Sequence, residues 1–305
     1  MLEQLKKIIK RTVESALTSR LRLISEREML LLGKSKSDFN KIYQDRFTNI
    51  NDFEFSVFSQ SGEDGIIQYL INNIDISSKT FIEFGVENYQ ECNTRFLLMN
   101  NNWSGLIIDG SQDNIRQIKE SEFYWKHDLR ARTDFITAEN INEIFLQERI
   151  SGEIGLLSID IDGNDYWVWK AITSVKPDIL IIEYNSLFGY ERHITVPYEA
   201  SFERHKFHYS GLAFGASLPS LHELALKKGY LFVGCNLMGN NAFFVRKEKI
   251  GNIRTLSIQE GYKQARFRES RDKNGLLTYK RGDEKYNEVK GVKVYNTEIN
   301  QIESL

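Results

Sequence analysis

The chain has 305 residues, 41% hydrophobic and 27% charged, enough to bury a full core in one large domain with appendages or in two small ones. Its 40 lysines and arginines against 42 aspartates and glutamates leave a net charge of −2, without the basic surplus expected when nucleic acid is the main partner. Cys92 and Cys235 stand far apart without metal-ligand spacing, which argues against a disulfide framework or a zinc site and suits a cytoplasmic location.

Residues 1–50 read as an N-terminal helical extension. Leu2, Leu5, Ile9, Val13, Ala16 and Leu17 recur at helical spacing with Lys6, Lys7, Lys10 and Arg11 between them, which predicts an amphipathic helix. Such a helix packs on its own domain or on a second copy, making a homo-oligomer; a peripheral membrane contact is the alternative. No transmembrane segment is expected, because no window approaches about eighteen uninterrupted apolar residues. The start also lacks the apolar core and cleavage site of a signal peptide.

Residues 51–250 alternate strand-like runs with helical patterns. Strands are expected at Thr80 to Phe84, Gly105 to Asp109, Phe123 to His127, Gly155 to Ile161, Ile179 to Tyr184, Tyr230 to Cys235 and Ala242 to Arg246. Helices are expected at Gly62 to Asn73, Glu91 to Asn101, Asn114 to Glu120, Ala138 to Gln147, Tyr166 to Ile172 and Leu218 to Lys228. The linker NLMGNN between the last two strands is too short for a parallel crossover and predicts a hairpin. The expected fold is α/β, a doubly wound Rossmann-like sheet of about seven strands ending in an antiparallel strand. Residues 186–215, rich in aromatics and histidines, read as a lid, and the polar residues 251–305 as a small C-terminal appendage.

Ligands of such sheets sit beyond the carboxyl ends of the strands, and here each of the first five expected strands ends in an acid. Glu83 and Asp109 are one strand-helix-strand unit apart, and an acid at the second position commonly grips ribose hydroxyls. The turn after Glu83 holds one glycine, Gly85, with neither GxGxxG nor GK[ST]. Dinucleotides and nucleoside triphosphates therefore fit poorly, and a nucleoside cofactor without phosphates fits well.

The succession EFGVE, LIIDGS, KHDL, SIDIDGND and IIEYNS resembles the FkbM-like class I methyltransferases, with features of the macrocin-type sugar O-methyltransferases, over about two thirds of the chain. The resemblance implies S-adenosyl-L-methionine as cofactor. It puts Glu83 and Gly85 in the first cofactor motif, Asp109 with Gly110 and Ser111 at the ribose, and Asp128 with Leu129 at the adenine. Asn93 and Thr94 would receive the methionine carboxylate on helix N-terminal amides. Gln60 and Glu63, in FSQSGEDG, are further cofactor or substrate contacts, while Ser61 with Asp64 reads as a helix start. A single glycine after the first strand departs from the two or three common in the wider class.

Asp160 and Asp162 are two apart, so on a strand they share a face, and Glu183 and Asn185 repeat the spacing on the next. These oxygen donors suit Mg²⁺ or Ca²⁺ rather than zinc, and the macrocin-type enzymes they resemble place a divalent cation there. Asp160 and Asp162 are equally candidates for taking the acceptor's proton, with His208 as an auxiliary base or substrate contact. Asp165 reads as a helix cap, His127 as packing near adenine, His222 as structural. Tyr184, Tyr190, Tyr198, Phe207 and Tyr209 could wall a sugar ring. The leading expectation is an O-methyltransferase for a hydroxyl of a sugar or surface glycoconjugate. A glycosyltransferase using Asp160-Ile161-Asp162 as a DxD, and a non-catalytic binding module, are the alternatives.

Overall fold

The computed structural model describes residues 24–305; the amphipathic stretch expected over residues 2–17 lies outside the described residues. A helix, α1, runs through 24–43. After it come α2 (Glu63–Asn73), β1 (Thr80–Phe84), α3 (Arg95–Asn101), β2 (Ser104–Asp109), α4 (Gln112–Glu120), α5 (Glu122–Lys126), β3 (Leu129–Thr133), α6 (Ile141–Gln147), β4 (Gly152–Ile159), α7 (Asp165–Ala171) and β5 (Val175–Glu183). The second half holds β6 (Ile194–Thr195), α8 (Arg204–Phe207), α9 (Leu218–Lys228), β7 (Tyr230–Cys235), β8 (Asn241–Arg246), α10 (Ile258–Gly261), α11 (Asp283–Val289), β9 (Lys293–Asn296) and β10 (Gln301–Ser304).

Seven strands form one sheet in the order β3-β2-β1-β4-β5-β8-β7. β8 runs antiparallel between β5 and β7, and the pairs from β3 to β5 are parallel. This is a doubly wound, Rossmann-like sheet whose last strand in the chain is antiparallel. The chain winds outward from β1 to β3 and resumes on the other side with β4, so the switch point lies between β1 and β4. Strand alternation buries Ile82, Phe84, Leu106, Ile108 and Leu157 on one face and Phe81, Ile107, Leu156, Ile179 and Ile181 on the other. Both faces are covered, as a parallel sheet requires.

The third strand differs from expectation. Phe123 to His127 is not a strand: α5 occupies Glu122–Lys126, and β3 begins at Leu129. The aromatic run misleads because Trp125 is 73% exposed, so its alternation with Phe123 marks no buried face. The strand itself, LRART, carries little apolar signal.

The expected lid and appendage share a core. Phe188, Ile194, Val196, Phe202 and Leu212 pack with Val289, Val294 and Leu305, and β6 joins β9 and β10 in a second, three-stranded sheet. α1 packs on the main domain, with Asn40 Nδ2 donating to the Phe53 carbonyl at 2.8 Å and Glu26 pairing with buried Arg95 at 3.1 Å. Among the described residues no helix is long and apolar enough to cross a membrane.

Candidate functional site

The carboxyl ends of β1, β2, β4 and β5 open on a cleft of ≈ 1500 Å³. Small-molecule sites span about 300–1000 Å³, so this one has room for two ligands. At the switch point the turn after β1 touches the loop after β4: Gly85 has φ +69°, and a Cβ there would lie 1.7 Å from the Asp160 carbonyl oxygen. The single glycine of the turn is required by its left-handed backbone and by that contact.

Glu83 lies at the depth of the apolar core, 5% exposed, where an isolated carboxylate is costly. The segment opening α3 satisfies it. The amides of Asn93 and Thr94 donate at 2.8 and 3.0 Å, and the Thr94 hydroxyl donates as well. Burial pushes this carboxyl up to about 7 against the pull of those three donors. The amides expected to receive a methionine carboxylate are thus filled by Glu83. Asn93 Nδ2 reaches across to Ser158 Oγ on β4, at 3.0 Å.

Asp109 ends β2. Its Oδ2 accepts from the Glu87 amide at 2.8 Å, and its Oδ1 accepts from the Ser111 amide at 2.8 Å and Asn114 Nδ2 at 3.1 Å. A carboxylate has about four acceptor positions, so three bonds fix it and leave about one for the cleft it lines. Gly110 lines the cleft too, whereas the Ser111 hydroxyl accepts from the Asn114 amide and caps α4. Gln60 is in the lining, but Glu63 is spent inside the fold on the Ser61 amide and the Asn236 and Asn241 side chains. Gly62 rather than Ser61 precedes α2, and Asp64 accepts from the amides of Val57, Phe58 and Ser59.

Asp128 and Leu129, expected at the adenine, do not line the cleft. The Asp128 carbonyl accepts from the Gly105 amide at 3.0 Å, and Leu129 pairs with Gly105 near the start of β2. The length of β3 separates both, and His127 with them, from the cleft. The residues following the true strand, Asp134, Phe135 and Ile136, line it instead. The displaced strand assignment is the whole cause.

Across the switch point β4 ends at Ile159, so Asp160 and Asp162 stand in the following loop and not on one strand face. Asp162 adopts φ +56°, is 61% exposed at its side chain, and binds Arg204 at 2.7 Å. In its place comes Asp165: one oxygen each of Asp160, Asp165 and Glu183 lie within 4.8 Å of one another. Asp165 also holds the loop, accepting from the Ile161 and Gly163 amides, both at 2.9 Å. Glu183 Oε2 is buried with no hydrogen-bond partner among the described residues. Asn185 does not join the cluster: Nδ2 donates to the Leu212 and Phe214 carbonyls, and Oδ1 accepts from the Leu187 amide. The DxD spacing therefore does not translate into two ligands on one strand face.

Burial, reinforced by Asp162 and Asp165, raises the Asp160 carboxyl well above the usual range. Burial and the Asp160 charge do the same to Glu183, and burial lifts Asp165 to about 6. Acids this close cannot all ionise without a counter-charge, and three oxygen donors without nitrogen or sulfur suit a hard divalent cation.

His208 stands outside the lining, its Nδ1 2.7 Å from Ser210 Oγ and its ring against Tyr209; the lid histidine in the cleft is His205. Tyr190, Tyr198, Phe207 and Tyr209 are outside it as well. The lid turns them elsewhere, Phe207 toward the lid core, Tyr198 to Glu139 and Tyr209 to Glu288. Tyr184 is in the lining, but its hydroxyl binds the Lys263 carbonyl. The aromatic rings that reach the cleft with it are Phe84, Phe135, Phe202, Phe214 and Phe267. Sequence reasoning also missed the wall formed by residues 263–269 and 281–285. The basic run KQARFR was its only signal, and no motif ties it to a site so far upstream.

No family model matches the chain, and no curated protein matches it in sequence. Among solved structures, the N-terminal domain of EvdMO1 with SAH bound aligns at 12% identity and a TM-score of 0.40, over 68% of this chain and 94% of that one. An S-adenosylmethionine-dependent methyltransferase from Clostridium acetobutylicum aligns at 11% and 0.39, over 68% and 98%. The O-methyltransferase from Bacillus cereus in complex with SAH aligns at 12% and 0.39, over 72% and 88%. Likeness at this level does not transfer an activity or a residue's role, because one fold hosts many functions.

Proposed function

We propose that the chain is an S-adenosylmethionine-dependent O-methyltransferase of the FkbM-like kind, acting in the cytoplasm on a hydroxyl of a sugar or glycoconjugate. The observation that supports it best is Asp109, held by three donors at the end of β2 with acceptor capacity left toward a cleft sized for two ligands. A rigid carboxylate at that position suits ribose hydroxyls, and the turn beside it has no phosphate-cradling glycines. Gln60, Gly85, Asp109, Gly110 and the Asp134–Phe135–Ile136 run would hold the cofactor, while Glu83 fixes the turn through α3.

Bound S-adenosylmethionine supplies a methyl group on a positively charged sulfur. Asp160, partly exposed at the cleft, would take the acceptor's hydroxyl proton as the methyl group passes from the sulfur to the hydroxyl oxygen. A carboxyl raised by burial is a stronger base than a free one once ionised. Asp160, Asp165 and Glu183 also fit Mg²⁺, since the buried, unpartnered Glu183 Oε2 needs a positive neighbour. A cation there would lower the hydroxyl pKa. Titration calorimetry with S-adenosylhomocysteine tests the reading: binding is expected to the wild type and to be lost in Asp109→Ala. Absence of binding to the wild type overturns it.

A further inference from the structure

The cleft has two chemically different sides. The sheet side is acidic, with Glu83, Asp109, Asp134, Asp160 and Glu183. A strap of the C-terminal region, within residues 263–285, lines the same cleft and contributes Lys263, Arg266, Arg268, Arg281 and Lys285 and a single acid, Glu269. That acid is engaged by Arg271, at 3.2 Å.

The strap is fixed rather than draped. The Ala265 amide donates to Ser186 Oγ at 2.9 Å, Tyr262 donates to the Ser186 carbonyl at 2.7 Å, and the Arg271 amide donates to the Ser210 carbonyl at 3.1 Å. It also passes close over the β7–β8 turn, where a Cβ on Gly239 would lie 2.7 Å from the Ala265 nitrogen. Among the described residues, the side chains of Lys263, Arg266 and Arg281 make no hydrogen bond or ion pair, and Arg268 only lies over the Tyr279 ring. Lys263 feels the Glu54 carboxylate and Lys285 donates to the Phe267 carbonyl. That leaves Arg266, Arg268 and Arg281 as three like charges without a carboxylate at ion-pair distance among the described residues. An S-adenosylmethionine molecule brings one carboxylate and a positive sulfur, too little to neutralise them. Guanidinium forks match phosphate oxygens two at a time.

Resting on the methyltransferase reading of the cleft, we infer that the acceptor is a small phosphorylated molecule whose phosphoryl group lies on Arg266, Arg268 and Arg281 while its hydroxyl faces Asp160. A small molecule is favoured over a nucleic acid because the cations line the same cleft as the acids of the sheet side, in a chain of net charge −2.

The experiment uses the full chain with saturating S-adenosylhomocysteine and titrates glucose 1-phosphate, UDP, inorganic phosphate, glucose and a single-stranded oligonucleotide. Binding of at least one of the first two is expected, weakened about tenfold or more in Arg266→Ala/Arg268→Ala, since a charged hydrogen bond contributes about 1.5–3 kcal/mol. Both side chains are exposed, so the variant should fold, and unchanged S-adenosylhomocysteine affinity verifies it. Tighter binding of glucose 1-phosphate identifies a sugar phosphate and tighter binding of UDP a nucleotide-linked acceptor. No binding of either, equal binding of glucose, inorganic phosphate alone, a stronger oligonucleotide, or an unaffected variant would each overturn the inference. Failure of S-adenosylhomocysteine itself to bind tells instead against the methyltransferase reading.

Discussion

Gly85 and the Asp160 carbonyl occupy the same point of the fold: a side chain on Gly85 would begin 1.7 Å from that oxygen. The turn after β1 and the loop after β4 are therefore one mechanical unit, joining the proposed cofactor side of the cleft to its acid cluster.

Gly85→Ala should consequently harm both halves. A left-handed backbone costs about 1–2 kcal/mol for alanine, and overpacking adds about 1–3 kcal/mol. Urea unfolding should show a loss of about 3 kcal/mol, with weakened S-adenosylhomocysteine binding. A variant of wild-type stability would mean that the contact relaxes freely.

Asp109→Asn keeps the shape of the side chain and removes its charge. One charged hydrogen bond to a ribose hydroxyl is worth about 1.5–3 kcal/mol, so calorimetry should find S-adenosylhomocysteine bound roughly 10- to 100-fold more weakly. Equal affinity would move the ribose elsewhere in the cleft.

The acid cluster separates Glu183 from Asp162. Asp160→Asn should lower turnover by about 100-fold or more, the scale of a positioned acid–base group, and Glu183→Gln should abolish any thermal shift produced by Mg²⁺. Asp162→Asn breaks an ion pair with Arg204, worth about 0–1 kcal/mol, and removes one of the charges that raise the Asp160 carboxyl, and should change turnover less than tenfold. Activity indifferent to both EDTA and added Mg²⁺ would remove the cation and leave proton transfer to Asp160 alone.

Glu83 makes the fold sensitive to pH. Its folded carboxyl titrates at about 7 against 4.5 for a free glutamate, so between those values the folded state holds the extra proton. Stability from this group is thus greatest below pH about 4.5 and falls as pH rises through 7, by at most about 3 kcal/mol. Asp64 and Asp165, each lifted by burial to about 6, act in the same direction. Urea titrations at pH 5 and pH 8 should show a smaller difference in Glu83→Gln than in the wild type, whatever the offset between them. Equal differences would show that Glu83 titrates normally.

Local pattern sufficed for six of the seven strands of the main sheet. β1, β2, β4, β5, β7 and β8 were readable because runs buried on both faces are continuously apolar, and the hairpin followed from the length of NLMGNN. β3 was missed because LRART lies at the sheet edge with half-exposed arginines, while its neighbour YWK looked more strand-like as an exposed helix. That one error carried Asp128 and Leu129 to the wrong end of the sheet and hid Asp134.

What the residue order determined by itself is the position of acids at strand ends, because the strand period and chain winding set which residues reach the carboxyl edge. Only the tertiary structure decided which of them meet. A left-handed residue at Asp162 sends that carboxylate to Arg204 and lets Asp165 close on Asp160 and Glu183. The basic strap was likewise invisible, since its place beside the end of β5 and the β7–β8 turn depends on a lid and C-terminal region sharing a core across roughly a hundred residues of chain, a long-range packing that no local periodicity encodes.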